Sequence, residues 1–168
     1  MRVAILTASD RGSRGEREDR SAEVIREMVT SVGGEVAAYD VVPDEKEILT
    51  AKLIEFADKE KVDLILTTGG TGLSPRDVTP EATLAVIDRI IPGIPEAMRA
   101  AGLKQTPHAM LSRAVAGTRG QTLIINLPGS PRAVRENLEV VLPALPHALE
   151  TLQGKGRECA RPEQENWN

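Results

Sequence analysis

Short apolar runs alternate with amphipathic stretches along this chain, and each apolar run ends in a loop of glycine, proline or charged residues. The first run is Val-Ala-Ile-Leu at 3–6, and the polar stretch 9–20 follows it. A short apolar run bounded by turn residues is typical of a strand that is buried on both faces. The alternation therefore predicts an α/β fold in three layers, with a mostly parallel central sheet and helices on both faces.

Periodicity predicts where the individual elements lie. Between 22 and 32 the apolar residues fall on one side of a helix, and Gly33-Gly34 ends it. Thr79 is expected to cap a later helix, with Pro80 at its first position, where the missing N–H costs nothing. In the first half of the chain the predicted order is strand 3–6, helix 22–32, strand 35–42, helix 48–57 and strand 62–67.

Prolines interrupt the helical patterns of the second half. Pro92-Gly93 and Pro95 are expected to end the helix that begins near Thr79, whereas Pro143 and Pro146 are expected to kink or split the last helix. The remaining predicted elements are a short helix at 96–101, a hairpin turn at 117–120, a buried strand at 123–125 and a final helix running to Leu152.

The length and composition allow one domain. With 168 residues, 40% of them hydrophobic, the chain can bury one core but is too short for two ordinary domains. We expect residues 1–153 to form that domain and the polar residues 154–168 to be a flexible tail. The single cysteine, Cys159, excludes an intrachain disulfide and a cysteine-rich zinc site.

Charge and aromatic content argue against nucleic acid and membranes as partners. The net charge of -4 gives no general attraction to nucleic acid or anionic lipid. Tyr39, Phe56 and Trp167 are the only aromatic residues, too few to stack the bases of single-stranded nucleic acid. No segment approaches the roughly 18 apolar residues of a membrane span. We therefore expect a soluble cytoplasmic protein that binds neither nucleic acid nor membrane.

The most distinctive motif is Thr-Thr-Gly-Gly-Thr-Gly at 67–72, at the end of a predicted buried strand. Ligands of open α/β sheets bind beyond the carboxyl ends of the strands, and glycines let backbone N–H groups approach an anion. No Lys-Ser or Lys-Thr closes the loop as in a Walker A motif, and Pro75 takes the last glycine position of a dinucleotide motif. An anionic ligand would suit the loop, but a tight turn that binds nothing explains the same glycines.

Three acidic residues after predicted strands could face one pocket: Asp10, Asp44 and Asp77. Asp10 is a candidate substrate-binding residue or an ordinary loop acid. Asp44 and Asp77 could hold Mg²⁺, but Asp44 with Glu47 also resembles a capping box, and Asp77 could be a loop or capping carboxylate. One helix terminus supplies about 0.3–1 kcal/mol of binding free energy towards an anion, whereas a micromolar ligand needs about 8 kcal/mol. A bound cation and the pocket would have to supply the rest.

Four arginines flank the loops in which a ligand is expected: Arg11, Arg76, Arg113 and Arg132. Surface arginines are common, so any single one is expected to be solvated rather than functional. His108 and His147 have neither the spacing of a zinc motif nor a neighbouring nucleophile. We expect both histidines to be structural or exposed.

Together these motifs resemble the signature of the molybdenum-cofactor biosynthesis family, in its molybdopterin-binding domain. The resemblance covers roughly residues 2–153. It rests on blocks that occur in the same order: Thr-Ala-Ser-Asp-Arg at 7–11, Val-Pro-Asp at 42–44, the stretches 67–72 and 76–83, Met-Leu-Ser-Arg at 110–113 and Asn-Leu-Pro-Gly-Ser-Pro at 126–131.

The resemblance implies an α/β, usually trimeric protein that binds the pyranopterin molybdopterin. The stand-alone adenylyltransferases look closest; they use Mg²⁺ and ATP to transfer AMP to the terminal phosphate of molybdopterin, with release of pyrophosphate. The molybdenum-insertion protein then consumes the product. By this resemblance Asp44 and Asp77 are the catalytic and metal-binding acids. Substrate-binding roles are implied for Gly69, Gly70, Thr71, Gly72, Ser112, Pro128, Gly129 and Ser130.

Two other functions stay open on the sequence. A molybdopterin-binding or carrier protein without transferase activity could hold or hand over the pterin, although the presence of both Asp44 and Asp77 favours the enzyme. The related domain of the molybdenum-insertion enzyme normally belongs to a longer chain, and 168 residues leave no room for the other domains. We expect that function least.

Overall fold

Six strands form one sheet in the computed structural model, which describes residues 1–155. They are β1 (Arg2–Ala8), β2 (Glu35–Val42), β3 (Leu64–Thr68), β4 (Arg89–Ile90), β5 (Ala116–Arg119) and β6 (Thr122–Leu127). Their order across the sheet is β2-β1-β3-β6-β5-β4. Strands β2, β1, β3 and β6 are parallel to one another, while β5 runs antiparallel to both β6 and β4. The predicted mostly parallel sheet is confirmed.

Helices connect the strands and pack on both faces of the sheet. The α-helices of residues 1–155 are α1 (Asp10–Ser13), α2 (Arg20–Ser31), α3 (Lys46–Ile54), α4 (Thr79–Leu84), α5 (Gly93–Leu103), α6 (Pro131–Val141) and α7 (Leu145–Leu152). A π-helical turn at Glu55–Lys59 continues α3, and 3₁₀ turns lie at Pro107–Leu111 and Leu142–Ala144. No helix of this part of the chain is long and apolar enough to cross a membrane.

The sheet divides the core into two clusters, because alternate residues of a strand point to opposite faces. Val3 and Ile5 of β1 lie in the cluster under α2, α5, α6 and α7. Ala4 and Leu6 lie in the cluster under α3 and α4. All four side chains are fully buried. The helices therefore form one layer on each face, as the apolar runs predict.

Most predicted elements are present, and strand 35–42 has the bounds that its pattern predicts. The two prolines after α6 split the last helix, as expected, into α6, a 3₁₀ turn and α7. Residues 117–119 belong to β5 rather than to a turn, because the hairpin reverses only after Arg119, at Gly120. Strand β4 and the 3₁₀ turn at 107–111 have no counterpart in the sequence pattern, since two strand residues are too few to show a period.

The segment 92–95 begins a helix instead of ending one. Pro92 is the N-cap of α5 and Pro95 lies in its first turn, where a missing N–H has no intrahelical acceptor to lose. The predicted cap at Thr79 is wrong, because Val78 occupies the N-cap position of α4 and no side chain caps that helix. Thr79 is itself the first helical residue.

Residues 156–168, with Cys159 and Trp167, lie outside the described part of the chain. Of the predicted flexible tail, 154–168, the structure describes Gly154 and Lys155 alone. The boundary between domain and tail therefore stays a prediction.

Candidate active site

The loops that follow β1, β2, β3 and β6 meet at one edge of the sheet and form a cleft of about 710 Å³. They meet because the carboxyl ends of parallel strands lie on the same edge, and the volume is that of a small-molecule site. The cleft is lined by Thr7, Ala8, Ser9, Gly12, Arg17, Glu18, Asp19, Arg20, Ser21, Asp44, Thr68, Gly69, Gly70, Gly129, Ser130 and Pro131.

Gly69 and Gly70 turn the chain sharply at the end of β3. Their φ angles are +89° and +65°, in the left-handed region that glycine adopts without strain. A Cβ atom at Gly69 would collide with the carbonyl oxygen of Ala8, and one at Gly70 would collide with the hydroxyl of Thr79. The turn itself requires both glycines, and because both line the cleft, their backbone also faces the ligand side.

Asp44 is the one of the three candidate acids that lines the cleft. Its N–H donates to Asp10 Oδ1 at 3.1 Å, and the N–H of Asp10 donates to Asp44 Oδ2 at 2.9 Å. Burial raises the pKa of the Asp44 carboxyl, the hydrogen bond from Asp10 opposes the rise, and the Asp10 and Asp77 charges add to it. The expected capping box is wrong, because Glu45 is the N-cap of α3 and no side chain caps that helix.

Asp77 closes a turn in the loop between β3 and α4. Its Oδ2 accepts a hydrogen bond from the N–H of Ser74 at 2.9 Å, and its own N–H donates to the Ser74 carbonyl oxygen at 2.9 Å. Asp77 therefore does not cap α4, and its hydrogen bonds are those of a loop carboxylate. Its negative charge nevertheless raises the pKa of Asp44, so the two carboxylates interact electrostatically.

Arg76, in the loop after β3, pairs with Asp10, the first residue of the short helix α1. Its Nε and Nη2 lie 3.0 Å and 2.7 Å from the two carboxylate oxygens of Asp10, which makes the ion pair bidentate. The hydrogen bond from Arg76 holds the pKa of Asp10 below its ordinary value, although burial acts in the opposite direction. Arg76 is thus paired rather than merely solvated, and a substrate-binding role for Asp10 stays a prediction.

Arg113 binds the backbone of the loop between β3 and α4. Its guanidinium donates to the carbonyl oxygens of Gly72 at 2.7 Å and Asp77 at 2.6 Å, and it forms an ion pair with Glu81. Its backbone N–H donates to the carbonyl oxygen of Thr71 at 2.9 Å. The expectation of a solvated arginine is therefore wrong here, because Arg113 fixes the backbone of the loop that carries Asp77.

The segment 17–21, which leads into α2, lines the cleft and is absent from the predicted site residues. Asp19 caps α2, and the hydroxyl of Ser21 donates to the carbonyl oxygen of Gly129 at 2.7 Å. This bond joins the N-terminus of α2 to that of α6, which the Ser130 hydroxyl caps. In the sequence, the one local signal for this segment is Asp19, an acid just before the predicted helix. Only the fold shows that the N-termini of α2 and α6 meet.

The predicted site residues fall into two groups. Those that line the cleft are Asp44, Gly69, Gly70, Gly129 and Ser130. Those that do not line it are Asp10, Thr71, Gly72, Asp77, Ser112 and Pro128. Two of this second group bond directly to lining residues: the N–H of Asp10 donates to Asp44 Oδ2 at 2.9 Å, and the Pro128 carbonyl oxygen accepts from the Thr68 hydroxyl at 2.7 Å.

Residues 1–155 contain no group of three histidine, cysteine or acidic side chains placed to hold a metal ion. Magnesium does not need such a cage, because it keeps several waters and is usually held by one or two carboxylates together with substrate phosphates. The charge of Asp77 raises the pKa of Asp44, so a cation near both carboxylates would relieve their repulsion. The side chains present therefore fit a magnesium ion that enters with a phosphorylated substrate.

Comparison with known proteins decides the family. Residues 4–147 match the family model described as "Probable molybdopterin binding domain". The chain belongs to this family. The match includes every loop that lines the cleft. The resemblance drawn from the motifs is thereby confirmed.

Two similar proteins and one solved structure match this chain over most of their own lengths. The molybdopterin adenylyltransferase of Helicobacter pylori (strain J99) is 41% identical, over 98% of this chain and 98% of its own. That of Escherichia coli (strain K12) is 39% identical, over 95% of this chain and 89% of its own. The crystal structure of the molybdopterin biosynthesis enzyme MoaB from Thermus thermophilus has a TM-score of 0.87 and 58% identity, covering 92% of this chain and 98% of that one. The shared fold confirms the α/β prediction.

Proposed function

We propose that the protein is a molybdopterin adenylyltransferase, which transfers AMP from ATP to the terminal phosphate of molybdopterin. A phosphate oxygen of molybdopterin forms a bond to the α-phosphorus of ATP, while the bond from that phosphorus to the oxygen bridging to the β-phosphorus breaks. The electron pair leaves with pyrophosphate. The products are adenylylated molybdopterin and pyrophosphate.

One observation carries the proposal: the cleft places the carboxylate of Asp44 beside the glycine turn 69–70. The chain that builds this cleft is 41% identical, over 98% of its length, to a protein named molybdopterin adenylyltransferase. The relative's name supports the reaction and the pterin, and the cleft supports the placement of two anionic substrates.

The reaction requires alignment and charge neutralisation more than proton transfer, because the attacking phosphate is already ionised at neutral pH. The N-termini of α2 and α6 open on the cleft and carry partial positive charge. Arg17 and Arg20 line the same cleft and add full positive charges. The acids Glu18, Asp19 and Asp44 line the cleft as well, and Arg20 pairs with Glu18 at 3.1 Å. The lining side chains therefore do not neutralise two anionic substrates by themselves, which favours a cation that enters with the phosphates.

Asp44 and Asp77 are the residues that would hold Mg²⁺. When bound, the ion supplies neutralisation of phosphate charge and polarises the reacting phosphoryl group. The reciprocal hydrogen bonds between Asp44 and Asp10 fix the Asp44 carboxylate, with Oδ1 directed towards Gly70. The chain therefore orients one carboxylate in advance at the wall of the cleft.

The test measures pyrophosphate release and adenylylated pterin after incubation with MgATP, with and without molybdopterin. We expect release that depends on the pterin and is lost when Mg²⁺ is chelated. Asp44→Asn should abolish most transfer, whereas Glu47→Gln, which changes an exposed acid in the first turn of α3, should not. If the pterin binds but no AMP is transferred, the protein is a carrier and the proposal is wrong.

We further propose a homotrimer and a hand-over of the product to the molybdenum-insertion protein, both from the family resemblance. Ile90 on β4 is 60% exposed and Met110 in the 3₁₀ turn is 61% exposed, so both are accessible to a second subunit. Sedimentation equilibrium of the full chain tests the trimer. The expected cytoplasmic location stays a prediction.

A further inference from the structure

One ion pair ties two walls of the cleft together. Arg76 lies in the loop after β3 and Asp10 begins α1 in the segment after β1, 66 residues apart in the chain. Within residues 1–155 no second ion pair joins these two segments. The Arg76 side chain is 56% exposed and that of Asp10 is 31% exposed, so the pair lies near the cleft surface. Both segments carry residues that line the cleft.

The pair lies directly against the backbone that orients Asp44. Asp10 Oδ1 accepts hydrogen bonds from both Arg76 Nη2 and the N–H of Asp44, at 2.7 Å and 3.1 Å. Without the guanidinium, Asp10 would leave an uncompensated negative charge beside Asp44. Substrate phosphates must approach this same corner of the cleft, so the charge of Asp10 would repel them.

We infer that Arg76 is a positioning residue of the adenylyl-transfer site, which neutralises Asp10 and fixes the loop 69–78 against α1. The inference rests on the proposed function, because ATP is the phosphorylated substrate named there. Arg76 acts through Asp10 and not by direct contact with the phosphates. Action through Asp10 and direct contact with the phosphates predict different effects of replacing Arg76 once Asp10 has been made neutral.

The experiment measures the dissociation constant of MgATP by calorimetry, which does not depend on turnover. A unit charge several Å from a phosphate near the protein surface changes binding by about tenfold. Arg76→Gln should therefore weaken MgATP about tenfold, and Arg76→Lys should weaken it less, because it keeps the charge but loses the bidentate geometry.

The deciding comparison is made in the Asp10→Asn background. If Arg76 acts through Asp10, adding Arg76→Gln to that background should change the MgATP dissociation constant by less than about threefold. A full tenfold loss there would show direct phosphate contact and overturn the inference. No loss in the single Arg76→Gln variant would overturn it as well.

Arg119→Gln is the matched control. Arg119 forms a bidentate pair with Asp58 at the same 3.0 Å and 2.7 Å, and neither residue lines the cleft. This variant should bind MgATP like the wild type, and thermal unfolding checks that every variant is folded. Transfer assays on the wild type test the proposed function separately: absent transfer with the expected binding pattern refutes the reaction but supports the role of Arg76.

Discussion

Replacing Gly69 by alanine should destabilise the protein much more than replacing Gly120 by alanine. Both glycines have positive φ, +89° and +53°, so each substitution carries the strain of left-handed backbone, about 1–2 kcal/mol. At Gly69 the new Cβ would also collide with the Ala8 carbonyl oxygen, whereas nothing lies within 4 Å of a Cβ at Gly120. Ala8 is the last residue of β1, which pairs with β2 and β3, so this oxygen cannot easily move away.

The steric conflict adds about 1–3 kcal/mol to the backbone strain. The total is about 2–5 kcal/mol for Gly69→Ala and about 1–2 kcal/mol for Gly120→Ala. Urea unfolding followed by far-ultraviolet circular dichroism measures the free energy of unfolding of both variants. In thermal unfolding, each kcal/mol lost should lower Tm by about 2–4 °C for a protein of this size. Equal urea midpoints for the two variants would refute the close packing of the glycine turn on β1.

Three other changes test separate parts of the molecule. Asp77→Asn should leave the protein folded and able to bind molybdopterin but lower AMP transfer by about 100-fold, because the amide can still accept from Ser74 but has no charge; a folding defect by circular dichroism would contradict this. Asn126→Ala should lower the free energy of unfolding by about 3 kcal/mol. The change removes the hydrogen-bond partner of the buried hydroxyls of Thr67 and Thr83 and of the Val115 N–H. An unchanged urea midpoint would be inconsistent with that network. Arg119 holds the pKa of Asp58 below its ordinary value, so the stabilisation is present at neutral pH and is lost as the pH falls through that lowered pKa. Asp58→Asn should therefore lower Tm at pH 7, and the difference from the wild type should shrink as the pH falls through that lowered pKa. A difference that stays the same at every pH would argue against the pair.

The central parallel strands β1, β3 and β6 could be predicted because they are buried and contain short uninterrupted apolar runs. The antiparallel edge could not, and Gly117 shows why. Glycine and threonine at 117–118 are typical of a turn, yet they lie in β5. A Cβ at Gly117 would lie 2.6 Å from the carbonyl oxygen of Arg89 on β4, so the glycine serves a close approach between strands.

The position of the site also followed from the sequence, since ligands of such sheets bind beyond the carboxyl ends of the strands. Asp44 and the glycine turn 69–70 lie where this rule predicts. The roles of Arg76 and Arg113 could not be predicted, because their partners lie as far as 66 and 41 residues away in the chain. No local pattern distinguishes such arginines from solvated ones.

The hydrogen bond between Ser21 and the Gly129 carbonyl oxygen spans 108 residues, which has a consequence for the order of events during synthesis. A nascent chain that ends before β6 already contains Asp44 and Asp77, but it lacks the wall formed by Gly129 and its neighbours. Contacts between segments so distant in sequence form slowly, because a long loop must close first. The substrate pocket is therefore completed late in folding. Substrates that bind it can stabilise only chains in which the segments around Ser21 and Gly129 have already come together.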